Sequence, residues 1–260
     1  MYHILTAALL ATSSVSALSL SSACETALTQ VAANTDANTC LGVSSLITAV
    51  LNSNASIITP VDNLLKTLCA AAPCSNATLS AVVTNVTTGC SAELSSVSSS
   101  ESSSSTLTTL VEQYYSTARQ IICLSDSGTN CITEMLTSLQ TVFGTLSINN
   151  IGTVLENAFT NSTTTIPSNV TCSNCVKGAY NVLNENFPST ASTLASDLQS
   201  ECGSDFTNGS TPSSIVESAS TTSTGSNSAS ATATIMTRGA LAGLSASVLI
   251  AGSSLLAFLA

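Results

Sequence analysis

LTTLVEQYYSTARQIICLSDSGTNCITEMLTSLQTVFGTL, residues 107–146, contains two apolar series of the same period. Leu107, Leu110, Val111, Tyr114, Tyr115, Ala118, Ile121 and Ile122 form the first, and Ile132, Met135, Leu136, Leu139, Val142, Phe143 and Leu146 the second. Steps of three and four place such side chains on one face of an α-helix, with polar residues opposite. The period continues toward the N-terminus in Val43, Leu46, Ile47, Val50 and Leu51, in Val61, Leu64, Leu65 and Leu68, and in Leu79, Val82, Val83 and Val86. Toward the C-terminus it continues in Val176, Ala179, Tyr180, Leu183 and Phe187, then in Leu194, Leu198 and Cys202. Pro60 and Pro188 fit helix starts, where a missing N–H costs nothing. Strand alternation is sustained nowhere. The expected fold is all-α, with about eight short amphipathic helices; the tyrosines and methionines on their faces are expected in the core. Abundant Ser and Thr lower helix propensity, so packing and covalent bridges must supply the stability.

The bridges are available. Ten cysteines occur: Cys24, Cys40, Cys69, Cys74, Cys90, Cys123, Cys131, Cys172, Cys175 and Cys202. An even count in an oxidising compartment reads as up to five disulfides, whose connectivity spacing alone does not give. Cys172 and Cys175 form a C-x-x-C. A redox role asks for a strand pattern and a low-pKa setting, and zinc asks for further ligands. His3 is the only histidine and lies in the leader, so a structural pairing is the expected use. The cysteines divide into five from Cys24 to Cys90 and five from Cys123 to Cys202, each group running single, single, close pair, single. That order raises the expectation of two related halves. Five is odd, so full pairing requires at least one bridge between them.

The ends read as addresses. Residues 1–17 have the form of a secretory signal peptide: an apolar run from Ile4 to Ala11, then the small-residue site Val15-Ser16-Ala17. Residues 239–260 carry no charge. Before them come Asn227-Ser228-Ala229 and a polar spacer from Ser230 to Arg238. Small residues, spacer and apolar tail are the order of a glycosylphosphatidylinositol (GPI) attachment signal, with Asn227 the preferred anchor residue and Ser226 and Ser228 close alternatives. Six N-x-S/T sequons, at Asn54, Asn76, Asn85, Asn161, Asn169 and Asn208, suit a secreted chain and predict surface positions. Between the ends the expected organisation is a first helical half at 18–94, a Ser-rich loop at 95–106, a second helical half at 107–206 and a Ser/Thr-rich stalk with the attachment site at 207–238.

The combination resembles the cysteine-rich, GPI-anchored surface proteins of filamentous and mushroom-forming fungi. The features that carry it are the leader ending Val15-Ser16-Ala17, the ten-cysteine helical body, the Ser/Thr stalk and the tail Gly239–Ala260. The resemblance implies a place on the outer face of the plasma membrane or in the cell wall, and no particular activity. The eight-cysteine haem-capturing surface domain is much shorter, and its cysteine spacing is not matched. Hydrophobins carry adjacent cysteine pairs, and this chain has none.

Composition narrows the function classes. Net charge is −10, and Lys66, Arg119, Lys177 and Arg238 are the only Lys and Arg, so phosphate neutralisation by clustered cations is not on offer and no nucleic-acid partner is expected. Without a histidine in the mature chain there is no Ser-His-Asp triad and no Cys-His pair. Carboxylates occur singly and aromatics are 3% of residues, which argues against a sugar-cleaving cleft. No phosphate loop or dinucleotide fingerprint occurs. The expectation is a non-enzymatic surface glycoprotein without cofactor or metal, held to the membrane by its lipid, with cell-wall polysaccharide or an apolar ligand as candidate partners. The second reading is a helical module that binds a lipid or sterol, which would need an enclosed apolar cavity.

Overall fold

The computed structural model describes residues 21–46, 54–92, 94, 104–154 and 166–221. The signal peptide, Asn161, Asn227 and the apolar tail lie outside them. The α-helices among the described residues include α1 Ser22–Ala33, α2 Thr35–Leu41, α3 Ile58–Ala70, α4 Asn76–Gly89, α5 Ser104–Ile122, α6 Cys131–Phe143, α7 Ser168–Thr171, α8 Asn174–Asn186 and α9 Pro188–Cys202. Short 3-10 turns occupy Val43–Leu46 and Ser204–Thr207. A small antiparallel sheet adds β1 Leu124–Asp126, β2 Thr129–Asn130 and β3 Ile215–Glu217, in the order β2-β1-β3.

Local chemistry starts the helices. Side-chain oxygens of Ser21, Asn34, Ser75, Asn130 and Ser173 accept from backbone N–H groups in the first turns of α1, α2, α4, α6 and α8. Each satisfies a donor the helix itself leaves orphaned, worth roughly 0.5–2 kcal/mol. Pro188 is the first residue of α9 and Pro60 lies in the first turn of α3, as their missing N–H groups allow. The apolar faces then meet. Ile57, Val61 and Leu65 pack against Leu136, Leu139, Leu146 and Ile151, so the principal cluster draws on both sequence halves. Each fully buried aliphatic side chain contributes roughly 1.5–3 kcal/mol relative to exposure. Tyr180 is buried against Leu183 and Ala191. The Tyr115 hydroxyl accepts from Cys74 N–H at 2.9 Å.

All ten cysteines are paired: Cys24–Cys90, Cys40–Cys74, Cys69–Cys123, Cys131–Cys175 and Cys172–Cys202. Cys69–Cys123 is the one bridge between the halves. In both groups of five the second cysteine pairs with the fourth. The rest differ: first with fifth in one half, third with fifth in the other.

Four segments depart from the sequence-based expectation. The period at Val43–Leu51 predicts a helix, but Val43–Leu46 is a 3-10 turn and 47–51 lie outside the described residues. Ser104–Thr106, expected in the Ser-rich loop, open α5 instead, and 95–103 lie outside. The turn is supported by Thr108, whose hydroxyl donates to Ser104 O at 2.9 Å, and by Thr87 of α4, whose hydroxyl donates to Ser104 Oγ at 3.2 Å. The minor sheet is a third departure, because strands of two and three residues leave no alternation to read. Its hairpin turns at Ser127 and Gly128, with φ of 51° and 88°. Positive φ at both central residues is the type I′ geometry that matches strand twist. The fourth departure is that the folded body does not stop at residue 206.

Residues 212–221, expected to begin the stalk, form a strap across the body. Ile215, Val216 and Glu217 pair antiparallel with Asp126, Ser125 and Leu124. Ile215 lies on Gly178 of α8, where an added Cβ would come within 3.0 Å of its Cγ2, so the missing side chain admits the strap. Beyond the strand, Ser218 N and Oγ donate to Cys123 O at 3.1 and 2.8 Å, and Ser220 N donates to Cys69 O at 2.9 Å. The strap thus touches both cysteines of the cross-bridge.

Arg119 completes this junction from inside. It is 5% exposed. Nη1 donates to Ser220 O at 2.7 Å, and Nη2 donates to Leu68 O at 2.9 Å and also to Ala71 O. Leu68 O and Ala71 O are carbonyls at the C-terminal end of α3, where unpaired acceptors and the negative end of the helix dipole favour a cation. Arg119→Met is expected to lower unfolding free energy by several kcal/mol, because each orphaned buried acceptor costs roughly 1–3 kcal/mol. Loss of the bridge in Cys69→Ser/Cys123→Ser should cost about 2–4 kcal/mol. Urea unfolding of the single, double and combined variants checks both, and the combined loss should fall short of the sum because the groups hold one junction.

Candidate functional site

Helices α5, α6, α7 and α8 frame a shallow groove lined by Ile121, Ile132, Met135, Val170, Val176 and Ala179. The walls are the half-buried edges of the amphipathic faces read from the sequence. Its volume is about 80 Å³. Pockets that enclose drug-sized ligands are roughly 300–1,000 Å³, so the groove takes a small apolar group and not a sterol. The Cys131–Cys175 bridge, Glu134 and Asn169 also line it.

One pair of acids converges beside it. Asp126, at the end of β1, and Glu134, on the first turn of α6, bring carboxylate oxygens within 4.8 Å of each other and of Cys175 Sγ. Hydrogen bonds from Ser214, Ser127 and Asn174 hold the Asp126 carboxyl below its ordinary range. Burial, then the nearby Asp126 charge, pushes Glu134 above its own. Two neighbouring carboxyl groups are thereby driven apart in acidity, Asp126 ionised and Glu134 keeping its proton to higher pH. Glu134 Oε2 lies 3.5 Å from Cys175 Sγ. That sulfur is committed to Cys131, so it offers no thiolate to a metal and the cluster reduces to two carboxylates. The pair meets the first demand of acid–base chemistry on sugars, but the groove at its side, about 80 Å³, is too small to enclose the two sugar rings that flank a scissile glycosidic bond.

A second cleft, of about 520 Å³ and open to solvent, lies between α3 and the hairpin. Its polar groups serve the fold. Lys66 Nζ is 2.7 Å from Asp62 Oδ2, and Thr133 donates to Asp62 Oδ1 at 3.1 Å. Those two hydrogen bonds hold the Asp62 carboxyl below its usual range against partial desolvation. Asn130 donates to Ile122 O and caps α6, while the Ser125 and Ser218 hydroxyls donate to Val216 O and Cys123 O.

The sequence-predicted sites distribute as follows. Cys172 and Cys175 bond to different partners, Cys202 and Cys131, so the C-x-x-C is two structural half-bridges. Asn54, Asn76, Asn169 and Asn208 are exposed and Asn85 is half-buried. No helix among the described residues is long and apolar enough to cross a membrane. Arg119 carried a readable signal: it follows Tyr115 by four and precedes Ile122 by three, which puts a cation on the apolar face of α5. The Asp126–Glu134 pair had none, since the hairpin that joins them was not legible. Comparison of the chain with protein-family models, curated proteins and solved structures returns no match.

The class defined by fold and site is a small helical body locked by five disulfides, with a C-terminal strap and an acid pair at a shallow groove. Because Glu134 titrates higher in the folded than in the unfolded chain, the folded state binds the extra proton, and stability falls as pH rises through that interval. Glu134→Gln is therefore expected to be more stable than the parent near neutral pH. The advantage should shrink as pH drops below the ordinary glutamate range. Thermal unfolding of both proteins between acid and neutral pH measures it, and an advantage that is constant with pH would contradict the assignment.

Proposed function

We propose that this chain is a GPI-anchored glycoprotein of the outer cell surface or cell wall, whose body has a structural or interaction role and no catalytic one. The observation that carries the reading is the strap. Ser218 and Ser220 are fastened to Cys123, Cys69 and Arg119, and Asn227 follows them within the same Ser/Thr-rich stretch of sequence. A body that hangs from a tether gains from having its attachment fixed to the bridge that joins its two halves. Five bridges suit an oxidising compartment. The exposed sequon asparagines suit a glycosylated surface. Among the described residues the apolar groove holds only about 80 Å³ and the cleft of about 520 Å³ is open and lined mainly by polar side chains, which together weigh against a lipid- or sterol-binding module.

The test uses intact cells that express the full chain. Treatment with a GPI-cleaving phospholipase should release the protein, and mass analysis of the released C-terminal peptide should end at Asn227 with the lipid-derived remnant attached. An uncleaved apolar tail on the surface protein would overturn the anchor. A co-purifying lipid or sterol at near one-to-one yield would overturn the structural role in favour of the binding module.

A further inference from the structure

The groove has one lining residue with an unused chemical handle. Asn169 is the acceptor of the sequon Asn169-Val170-Thr171, is exposed, and stands among the residues that line the groove. Its backbone is held on both sides. Val170, next in the chain, is 7% exposed and packed inward. Thr171 donates to Glu201 Oε1 at 2.7 Å, and Cys172 is bonded to Cys202, so α7 is tied to α9 within three residues of Asn169. A sugar attached there would start from a fixed point, not from a mobile loop.

The surface beside that point is small and largely aliphatic. The groove's apolar residues are aliphatic, and its volume of about 80 Å³ exceeds the ~10–15 Å³ that one water needs while falling well below a lipid site. The first sugar of an N-glycan, N-acetylglucosamine, has an apolar ring face and an acetamide methyl of suitable size. Glu134 in the same lining supplies an acceptor for its amide or hydroxyl groups. The Cys131–Cys175 bridge forms part of the lining, and access is one of the factors that decide how fast a thiol attacks a disulfide.

We infer that Asn169 is a glycan-bearing residue whose first N-acetylglucosamine lies in this groove and shields the Cys131–Cys175 disulfide from thiols. The inference rests on the secreted-glycoprotein reading. Attachment precedes folding and needs only the sequon. What the folded structure adds is a seat for the sugar and a covalent bond for it to cover.

The experiment uses the full chain secreted from a eukaryotic host. Glycopeptide mapping reads each sequon. Limited reduction with dithiothreitol followed by alkylation then reads each bridge, with Cys40–Cys74 as the internal reference. Three forms are compared: fully glycosylated, trimmed by an endoglycosidase to a single N-acetylglucosamine, and stripped by a peptide glycosidase. Asn169→Gln and Asn208→Gln accompany them, and the enzymatic forms keep the test valid should Asn169→Gln fail to fold. The expected result is a glycan on Asn169 and several-fold faster reduction of Cys131–Cys175 in the stripped protein and in Asn169→Gln. Protection should survive trimming to one sugar, and Asn208→Gln should behave as the parent. A bare Asn169 beside other occupied sequons overturns the inference and leaves the secreted reading standing. So does an occupied Asn169 whose removal changes nothing, or speeds every bridge alike. Absence of glycan from all six sequons overturns both.

Discussion

The Arg119 guanidinium, pressed against the carbonyl oxygens of Leu68, Ala71 and Ser220, is the contact on which the join between the two halves depends. Leu68 and Cys69, in the last turn of α3, are buried, so the carbonyls there need donors that water does not supply. A planar fork with five N–H groups holds acceptors on two segments in a fixed geometry, which the compact ammonium of a lysine does less well. Because one of those acceptors belongs to Ser220, satisfying the end of α3 also fixes the strap. Because the next residue along α3, Cys69, is bonded to Cys123, the same point carries the covalent link between halves. Helix end, cross-bridge and chain exit are one junction.

The remainder of the body follows from a composition that is poor in large side chains. With 3% aromatics and no Trp, burial alone gives short helices little to hold them together. Two devices compensate. Disulfides replace packing where helices have small faces: α1 buries only Cys24, Ala27 and Val31, and Cys24–Cys90 bonds it to the end of α4. Gly89 permits that approach, since a Cβ there would sit 2.3 Å from Ala27 Cβ. The second device handles the hydroxyls. Thr26, Thr29, Thr39, Thr67, Thr87 and Thr137 each donate to the carbonyl four residues back, so a side chain that weakens helices is folded onto the helix's own backbone.

Legibility in the sequence tracks the size of the buried side chains. Helices α3, α6 and α8 bury Leu, Val and Tyr at helical steps, and α5 turns a half-buried series of the same period toward the body while burying Thr117 and Arg119, so the existence of all four could be read directly. Helices α1 and α2 bury mainly Cys and Ala, which carry too little hydrophobic contrast for a period to show. The strap was illegible for a different reason. Ile215 and Val216 stand alone in polar sequence, and only pairing to β1, 89 residues earlier at the Asp126–Ile215 rung, makes them a strand. Disulfide pairing is likewise a property of topology. Parity required a bridge between halves, but nothing in the spacing pointed to Cys69 and Cys123. The C-x-x-C shows the converse hazard: a spacing with a known chemistry is emptied of it when its two sulfurs are bonded elsewhere.

Charge is used in the same inward direction. Lys66 is paired with Asp62, Lys177 donates to the backbone oxygen of Asp205 at 2.9 Å, and Arg119 is buried among carbonyls. Every cation among the described residues is therefore engaged with its own chain. Glu25, Asp36, Glu185, Asp197 and Glu217 meanwhile remain exposed, so the field that reaches solvent is negative. At physiological salt that field decays within about 8 Å. It repels polyanions and like copies on approach and attracts nothing specific at a distance. Recognition by such a body would have to come from close contact with neutral or cationic surfaces, and Ser and Thr hydroxyls are the groups its sequence supplies for that.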